Sequence, residues 1–546
     1  MMFGAPIGTV PFGVAEYTGV EYWDPPGEYT RTPEYVLSDL SLLMAAPPEN
    51  RRWFIKAYAV DAAGDPQTQY WSQGDLSLDD PFKDRAQRAI DFESSIFGAR
   101  LVVSGISRPD FGIIRIERDV QDGTELTDLK WAGRALEVYA GLKGWTQSRF
   151  QIAQSSTIKD VRWDEAGFDI RLLDAGVSLK EPVQAEVYGG TGGIDGSENL
   201  KDIRKPYGYG KVDNATPRQV DAALDIWQVH DRSIEAVRAA YDGGVELTSA
   251  GDITDLALGS VVDWTPVAGY YITDLANGLI RLGAPTEKGL TVDFDGDNDA
   301  SLGGFVTSTA DINQRILRQR AGYTDADFSI GSYQALNISL PAAKGIYSQS
   351  AGESIEATIN QIMLPVGFMR FDREGKATVG NLSRQGTTVN LDSTKLLSLR
   401  SVDGYQIVHG VELGYNRSWT VMGENDFLGA ATDEFKEFAS QEYRTSLAED
   451  AAVDAANADS TLLQIQTLFY SKADSDNEAA RILTIMKEDK RFWELASINV
   501  QLGITPGKTV FLTDAKYART AMGLSCIALR VRENSETNET AVTVWG

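Results

Sequence analysis

Residues 201–247 constrain the fold more than any other stretch. They read KDIRKPYGYGKVDNATPRQVDAALDIWQVHDRSIEAVRAAYDGGVEL. Turn formers gather around Pro206, Gly208 and Gly210. Apolar and polar positions then alternate from Leu224 to Val229, break at His230-Asp231-Arg232, and resume from Ile234 to Tyr241 before a Gly243-Gly244 turn. Successive strand residues point to opposite faces, so a period of two bounded by Gly, Pro and Asp is the pattern of short, half-buried strands. The stretch is expected to be a β-meander inside a larger β-rich protein. It carries no catalytic signature.

The same punctuation extends in both directions. Residues 1–30 combine Phe3, Phe12, Tyr17, Tyr22 and Trp23 with Pro25-Pro26-Gly27, a density of breakers that no helix survives. They are read either as an extended arm docked on a neighbouring subunit or as a leading loop packed on its own domain. From residue 31 to 188 strands are expected at 53–60, 100–104, 112–117 and 168–172, making a small β-barrel or sandwich. Residues 131–139 fit a strand or a short helix equally well. The run Gly189-Gly190-Thr191-Gly192-Gly193 lacks the Lys-Ser or Lys-Thr of a phosphate-binding loop, so residues 189–200 are read as a flexible junction.

Residues 201–304 form a second β block. Within it Asp293, Asp295, Asp297 and Asp299 alternate, as in a calcium loop. Asn298 stands where such a loop needs Gly, however, and Gly304 where it needs Glu, so an acidic turn is expected, with a weak, adventitious calcium site as the alternative. Residues 305–395 are expected to be a small α/β domain. One helix spans 307–322, capped by Ser308 or Thr309 and stopped by Gly322. A second spans 353–364, with Ile355, Ile359 and Ile362 on one face, and a hairpin turns at Asp372-Arg-Glu-Gly375. Residues 396–424 and 491–546 are assigned to a terminal β-barrel, with a tight turn at Ile504-Thr505-Pro506-Gly507. The Ala-, Asp- and Glu-rich residues 425–490 are read as a helical excursion of two or three helices.

At 546 residues the chain is too long for one core, and roughly three to five domains are expected. No apolar run approaches the ~18 residues that cross a bilayer, so no stable membrane insertion is expected. The first residues lack the basic region of a secretory signal. A single cysteine, Cys526, excludes an intrachain disulfide and fits synthesis in a reducing cytoplasm. The net charge of −27 disfavours ordinary nucleic-acid binding. That charge either serves solubility or lines a channel through which DNA slides without sticking.

Reactive groups are scarce. The two histidines, His230 and His409, sit in different blocks without zinc spacing, and no nucleophile elbow is present. No pair among the 78 acidic residues is privileged for glycoside hydrolysis. Catalytic, cofactor-binding and metal-ligating residues are therefore all assigned as none, and no cofactor is expected. The many Trp and Tyr leave open a glycan- or receptor-binding role, with a carbohydrate-active hydrolase as a more distant alternative.

The words RKPYGYG, NATP, WQVHD and YDGG, followed in order by AGYYIT, LIRLGAP, GLTVDFDGD, GIYSQS, FDREGKATVGNL, YNRSWTV and VTVWG, resemble the baseplate or tail-tip hub proteins of siphovirus-type bacteriophages. The resemblance covers about residues 201–546. It implies a structural virion protein at the distal end of the tail. The first and last β-barrels of three copies would close into a pseudo-hexameric ring around the DNA ejection channel. The implied partners are the distal tail protein, the tail tube and tape measure, and central fibre proteins.

Overall fold

The computed structural model describes residues 46–546 apart from 75, 77–82, 97–104, 108–109, 119–125, 174–175, 254–263, 351, 384–388 and 403–404, together with 39, 42 and 43. The arm expected at 1–30 and the strand expected at 100–104 lie outside the described residues. The rest is a multidomain, mainly β protein with an α/β insert, built on six sheets.

The first module is an eight-stranded barrel. Strands Pro66–Gln73, Arg51–Val60, Ala135–Leu142, Gln151–Trp163, Gly167–Leu173 and Ile113–Glu117 lie side by side, with Lys83–Asp84 at one edge and Ala86–Arg88 at the other. Arg85 alone separates the two edges. Its N–H donates to Ser72 O at 3.0 Å and its carbonyl accepts from Glu117 N at 2.8 Å, so one residue bridges the two ends of the sheet. Ile55, Trp71, Val138, Phe168 and Ile170 fill the interior. Of the ambiguous residues 131–139, 135–139 resolve as strand, because Ala135–Leu142 is hydrogen-bonded on both sides, and 131–134 make the turn that leads into it.

The organising stretch divides between two sheets rather than forming one meander. Tyr207–Ala215 and Ile234–Asp242 flank Leu290–Asp299 in a core sheet. Arg218–Asp221 and Ile226–Gln228 turn away into a smaller sheet with Leu279–Leu282, Tyr270–Asp274 and Thr248–Asp252. The Gly-rich junction is folded around Asp195, whose carboxylate accepts from Gly189 N at 2.9 Å and from the Thr191 hydroxyl at 2.7 Å.

The α/β insert follows its sequence signals closely. Helix Thr309–Ala321 is capped by the Ser308 side chain accepting from Asp311 N, and it ends at Gly322 in the left-handed region. Helix Ile355–Met363 is capped by Ser354 and buries Ile355, Ile359 and Ile362. The hairpin Gly367–Phe371/Ala377–Asn381 follows, and Gly105–Ser107 of the first module adds a parallel strand to it. A third helix, Ile330–Ser339, buries only Tyr333 and Leu336, too short an apolar stripe to stand out in the sequence.

Residues 425–490 do contain three helices, Asp433–Ala439, Ala451–Ala456 and Lys472–Met486. Between them, strands Arg444–Glu449 and Thr461–Gln466 clasp Val408–Tyr415 from both sides. Helix Lys472–Met486 then buries Ile482, Leu483 and Met486 in the core shared with the α/β insert. Val408–Tyr415 is thereby committed to this three-stranded sheet and does not join the terminal sheet. The terminal sheet instead takes Val389–Asp392 and Leu396–Val402, in the order Val389–Asp392, Thr509–Thr513, Leu524–Asn534, Glu539–Trp545, Phe492–Ile498, Leu396–Val402.

Candidate functional site

The acidic run is not a turn. Asp293, Asp295, Asp297 and Asp299 lie on strand Leu290–Asp299, where the period of two that resembled a calcium loop spreads the carboxylates along the strand. Each has its own partner. Asp293 accepts from Asn214 N at 2.7 Å and from the Tyr241 hydroxyl at 3.1 Å, and Arg238 Nε lies 3.0 Å from Asp295 Oδ1. Asp297 meets Arg315 and His230, and Asp299 caps the next turn through Ser301 N. Among the described residues no three His, Cys, Asp or Glu side chains are gathered to hold a metal.

Burial, and then the neighbouring Asp213, push the Asp293 carboxyl up to about 6. The folded state therefore keeps this proton up to a higher pH than the unfolded chain does. Stability falls as pH rises from about 4 to 6, and the full penalty persists above that window. Asn at 293 retains an acceptor for Asn214 N and removes the charge. Asp293→Asn is expected to gain about 1–3 kcal/mol at pH 8 and nothing near pH 3.5, as read from urea unfolding at the two pH values.

His230 occupies the centre of a buried ionic network. Its Nδ1 accepts from Gly208 N at 3.0 Å, which places the ring proton on Nε2, facing Asp297 Oδ1 at 3.4 Å. Arg315 binds the other oxygen of Asp297. Arg320 grips both oxygens of Asp231 at 2.7 and 2.8 Å and donates to the Tyr209 hydroxyl at 2.8 Å. Burial alone would raise Asp231, but the groups around it, with Arg320 on both of its oxygens, outweigh burial and hold the carboxyl well below its ordinary value. Every group in the network is answered from within, so it pins helix Thr309–Ala321 to the core sheet and presents no reactive atom to solvent. His409, in the other sheet, contacts Ser460 and Asp454 and meets no part of this network. Cys526 is fully buried in strand Leu524–Asn534.

A groove of about 550 Å³ includes Tyr347, Trp419 and Arg417 in its lining and holds one carboxylate, Glu353. Arg417 lies over the Trp419 ring at 4.0 Å, so one face of that indole is already covered.

The arrangement that does bring distant residues together is the seam between the first barrel, the α/β insert and the terminal sheet. Strand Asp91–Ser95 leaves the first module and pairs antiparallel with Leu524–Asn534, from Arg530↔Ser95 to Asn534↔Asp91. The polar 533–539 turn is docked there too. The Ser535 hydroxyl accepts from Ala89 N and Ile90 N at 2.9 and 3.1 Å, and Arg88 Nε reaches Glu536 at 2.9 Å. Arg51 of the barrel donates to Val500 O at 2.5 Å. Val500 and Leu502 complete the barrel's own core.

Arg373, at the hairpin tip of the insert, ties all three modules. Its guanidinium pairs both oxygens of Glu533, a fully buried residue, and lies over the Phe92 ring at 5.1 Å. Its carbonyl accepts from Ser155 N of the barrel at 2.6 Å. In the sequence Arg373 is merely a residue of a turn. Glu533 likewise follows Arg530-Val531-Arg532 at the end of a strand, where a charged residue calls for no explanation.

Compared with known proteins, the chain matches no family model and no curated protein. Solved structures do match it over most of its length, loosely. The prophage MuSo2 43 kDa tail protein from Shewanella oneidensis gives a TM-score of 0.36 at 9% identity, covering 90% of this chain and 98% of that one. A tail protein from Neisseria meningitidis gives 0.34 at 10% identity, covering 90% and 96%. Prophage tail protein gp18 from Listeria monocytogenes gives 0.33 at 8% identity, covering 90% and 94%.

Proposed function

We propose that this protein is a structural, non-enzymatic component of a phage tail, a baseplate or tail-tip hub. The observation that carries the reading is the seam. A strand from the first barrel extends the terminal sheet, so the two β modules form one laterally continuous unit. That is the property a ring segment needs, because load around a collar passes from module to module within each copy before it crosses to the next. The ordered sequence words shared with hub proteins support the same role.

In this proposal three copies close into a ring around the ejection channel, each contributing two β modules to a sixfold-like collar. The collar links the tail tube and distal tail ring to central fibres, with the chain's negative charge keeping the passing DNA from sticking. Electron microscopy and mass measurement of the purified full chain at high concentration test this. Threefold ring-shaped particles are the expected result. A monodisperse monomer across the concentration range would overturn it.

A further inference from the structure

A cleft of about 250 Å³ opens where the α/β insert faces the terminal sheet. Arg370 and Lys508 are its charged lining residues, and no carboxylate joins them. In a chain with a net charge of −27, two cations facing one cleft without an acid between them call for an explanation.

The cleft is built by local sequence. Thr505-Pro506-Gly507-Lys508 is a type II turn, with Lys508 N donating to Thr505 O at 3.1 Å and Gly507 at φ +89°, a conformation that Pro-Gly favours. A Cβ at either Gly507 or Gly380 would come within 2.7 Å of the Phe368 ring, so the two glycines leave room for that ring in the wall. Arg370 reaches the cleft from the facing hairpin.

Two polar atoms of the lining are unanswered. Arg370 Nε and Thr505 Oγ1 are both buried without a hydrogen-bond partner. The neighbouring acids are engaged elsewhere. Asp372 Oδ1 accepts from Glu374 N and Lys376 N, each at 2.9 Å, and Glu533 is held by Arg373. Burial draws the Arg370 guanidinium down to about 10, with Asp372 opposing the shift and Arg373 adding to it. The walls around Lys508, and then Arg370 and Arg373, lower its ammonium as well. An external anion would relieve these effects together.

We infer that this cleft is an oxyanion site, taking a carboxylate or phosphate group between Arg370, Lys508 and the Thr505 hydroxyl. The inference stands apart from the tail-hub reading and holds for the full chain in any assembly state.

Calorimetric titration of the full chain with inorganic phosphate, and separately with acetate, at constant ionic strength tests it. At least one anion is expected to saturate. Saturation by phosphate alone assigns the site to a phosphate group, and saturation by acetate assigns it to a side-chain or terminal carboxylate. Lys508→Gln is expected to weaken binding about tenfold, and Thr505→Val to weaken it severalfold. Lys159→Gln, an exposed lysine on the first barrel, should leave binding unchanged. The site is refuted if neither anion saturates, or if Lys159→Gln weakens binding as much as Lys508→Gln.

Discussion

Glu533→Ala is expected to destabilise the protein by about 3–5 kcal/mol, among the largest single-residue effects in the chain. Glu533 is fully buried, and both of its oxygens are taken by Arg373. It also acts on Arg51, whose guanidinium is lowered to about 10 by burial, with Glu533 opposing that shift. Removing the acid therefore strands two buried cations at one seam. Arg373→Ala should cost less, because Glu533 keeps the field of Arg51. The pair Arg373→Met with Glu533→Leu should recover the share of the loss that comes from stranding Arg373, since an apolar pair of similar volume carries no desolvation cost, while Arg51 still lacks its acid. Chemical denaturation of the four proteins measures this. A loss below about 1 kcal/mol for Glu533→Ala would show that the seam does not depend on this pair. Because Glu533 stands opposite Phe92 in the strand pairing, the same substitution should also loosen Asp91–Ser95. Faster amide exchange along that strand is the accompanying signature.

The parts of this fold legible in the sequence are those whose signals are local. Ser308, Gly322 and Ser354 cap the helices they announce, because a cap needs only the backbone of its own first or last turn. The Pro506-Gly507 turn was readable for the same reason. The strands Arg444–Glu449 and Thr461–Gln466 were not readable, since the first buries only Ser446 and the second sits in an Ala- and Asp-rich context that favours helix. Along Leu290–Asp299 the period of two was visible. Its density of Asp suggested a turn, and only Arg238, Arg315 and His230, supplied by other elements, make it a stable strand. The seam lay furthest from view. Arg373 and Glu533 are 160 residues apart, and no pattern within either segment specifies the other. Both sides of the oxyanion cleft, the Pro506-Gly507 turn and the hairpin around residues 372–375, were visible, but their meeting across the fold was not.

Lys344 provides the second large effect, and its sign depends on pH. The residue is fully buried at the C-terminal end of helix Ile355–Met363. Its Nζ donates to the carbonyls of Ile362 and Leu364, which the helix itself leaves unpaired, and lies over the Phe469 ring at 4.7 Å. Burial lowers its pKa to about 7, with Glu478 opposing the shift. Below that value the lysine is charged in both the folded and the unfolded chain, and the folded state bears the whole cost of the buried charge. Between about 7 and 10.5 the unfolded chain binds the proton and the folded chain does not, so stability rises with pH through that window. The rise is at most about 1.4 kcal/mol per pH unit, roughly 4–5 kcal/mol in all as an upper bound. Lys344→Met removes the titration but leaves two buried carbonyls without donors, at about 1–3 kcal/mol each. At pH 6 these losses are offset by the charge no longer buried, and the variant should lie close to the parent. At pH 10 the neutral amine still donates to both carbonyls at no charge cost, so the variant should fall several kcal/mol short. Denaturation midpoints of both proteins from pH 6 to 10 read this directly. A gap that stays constant over that range would mean that the lysine does not change protonation on unfolding.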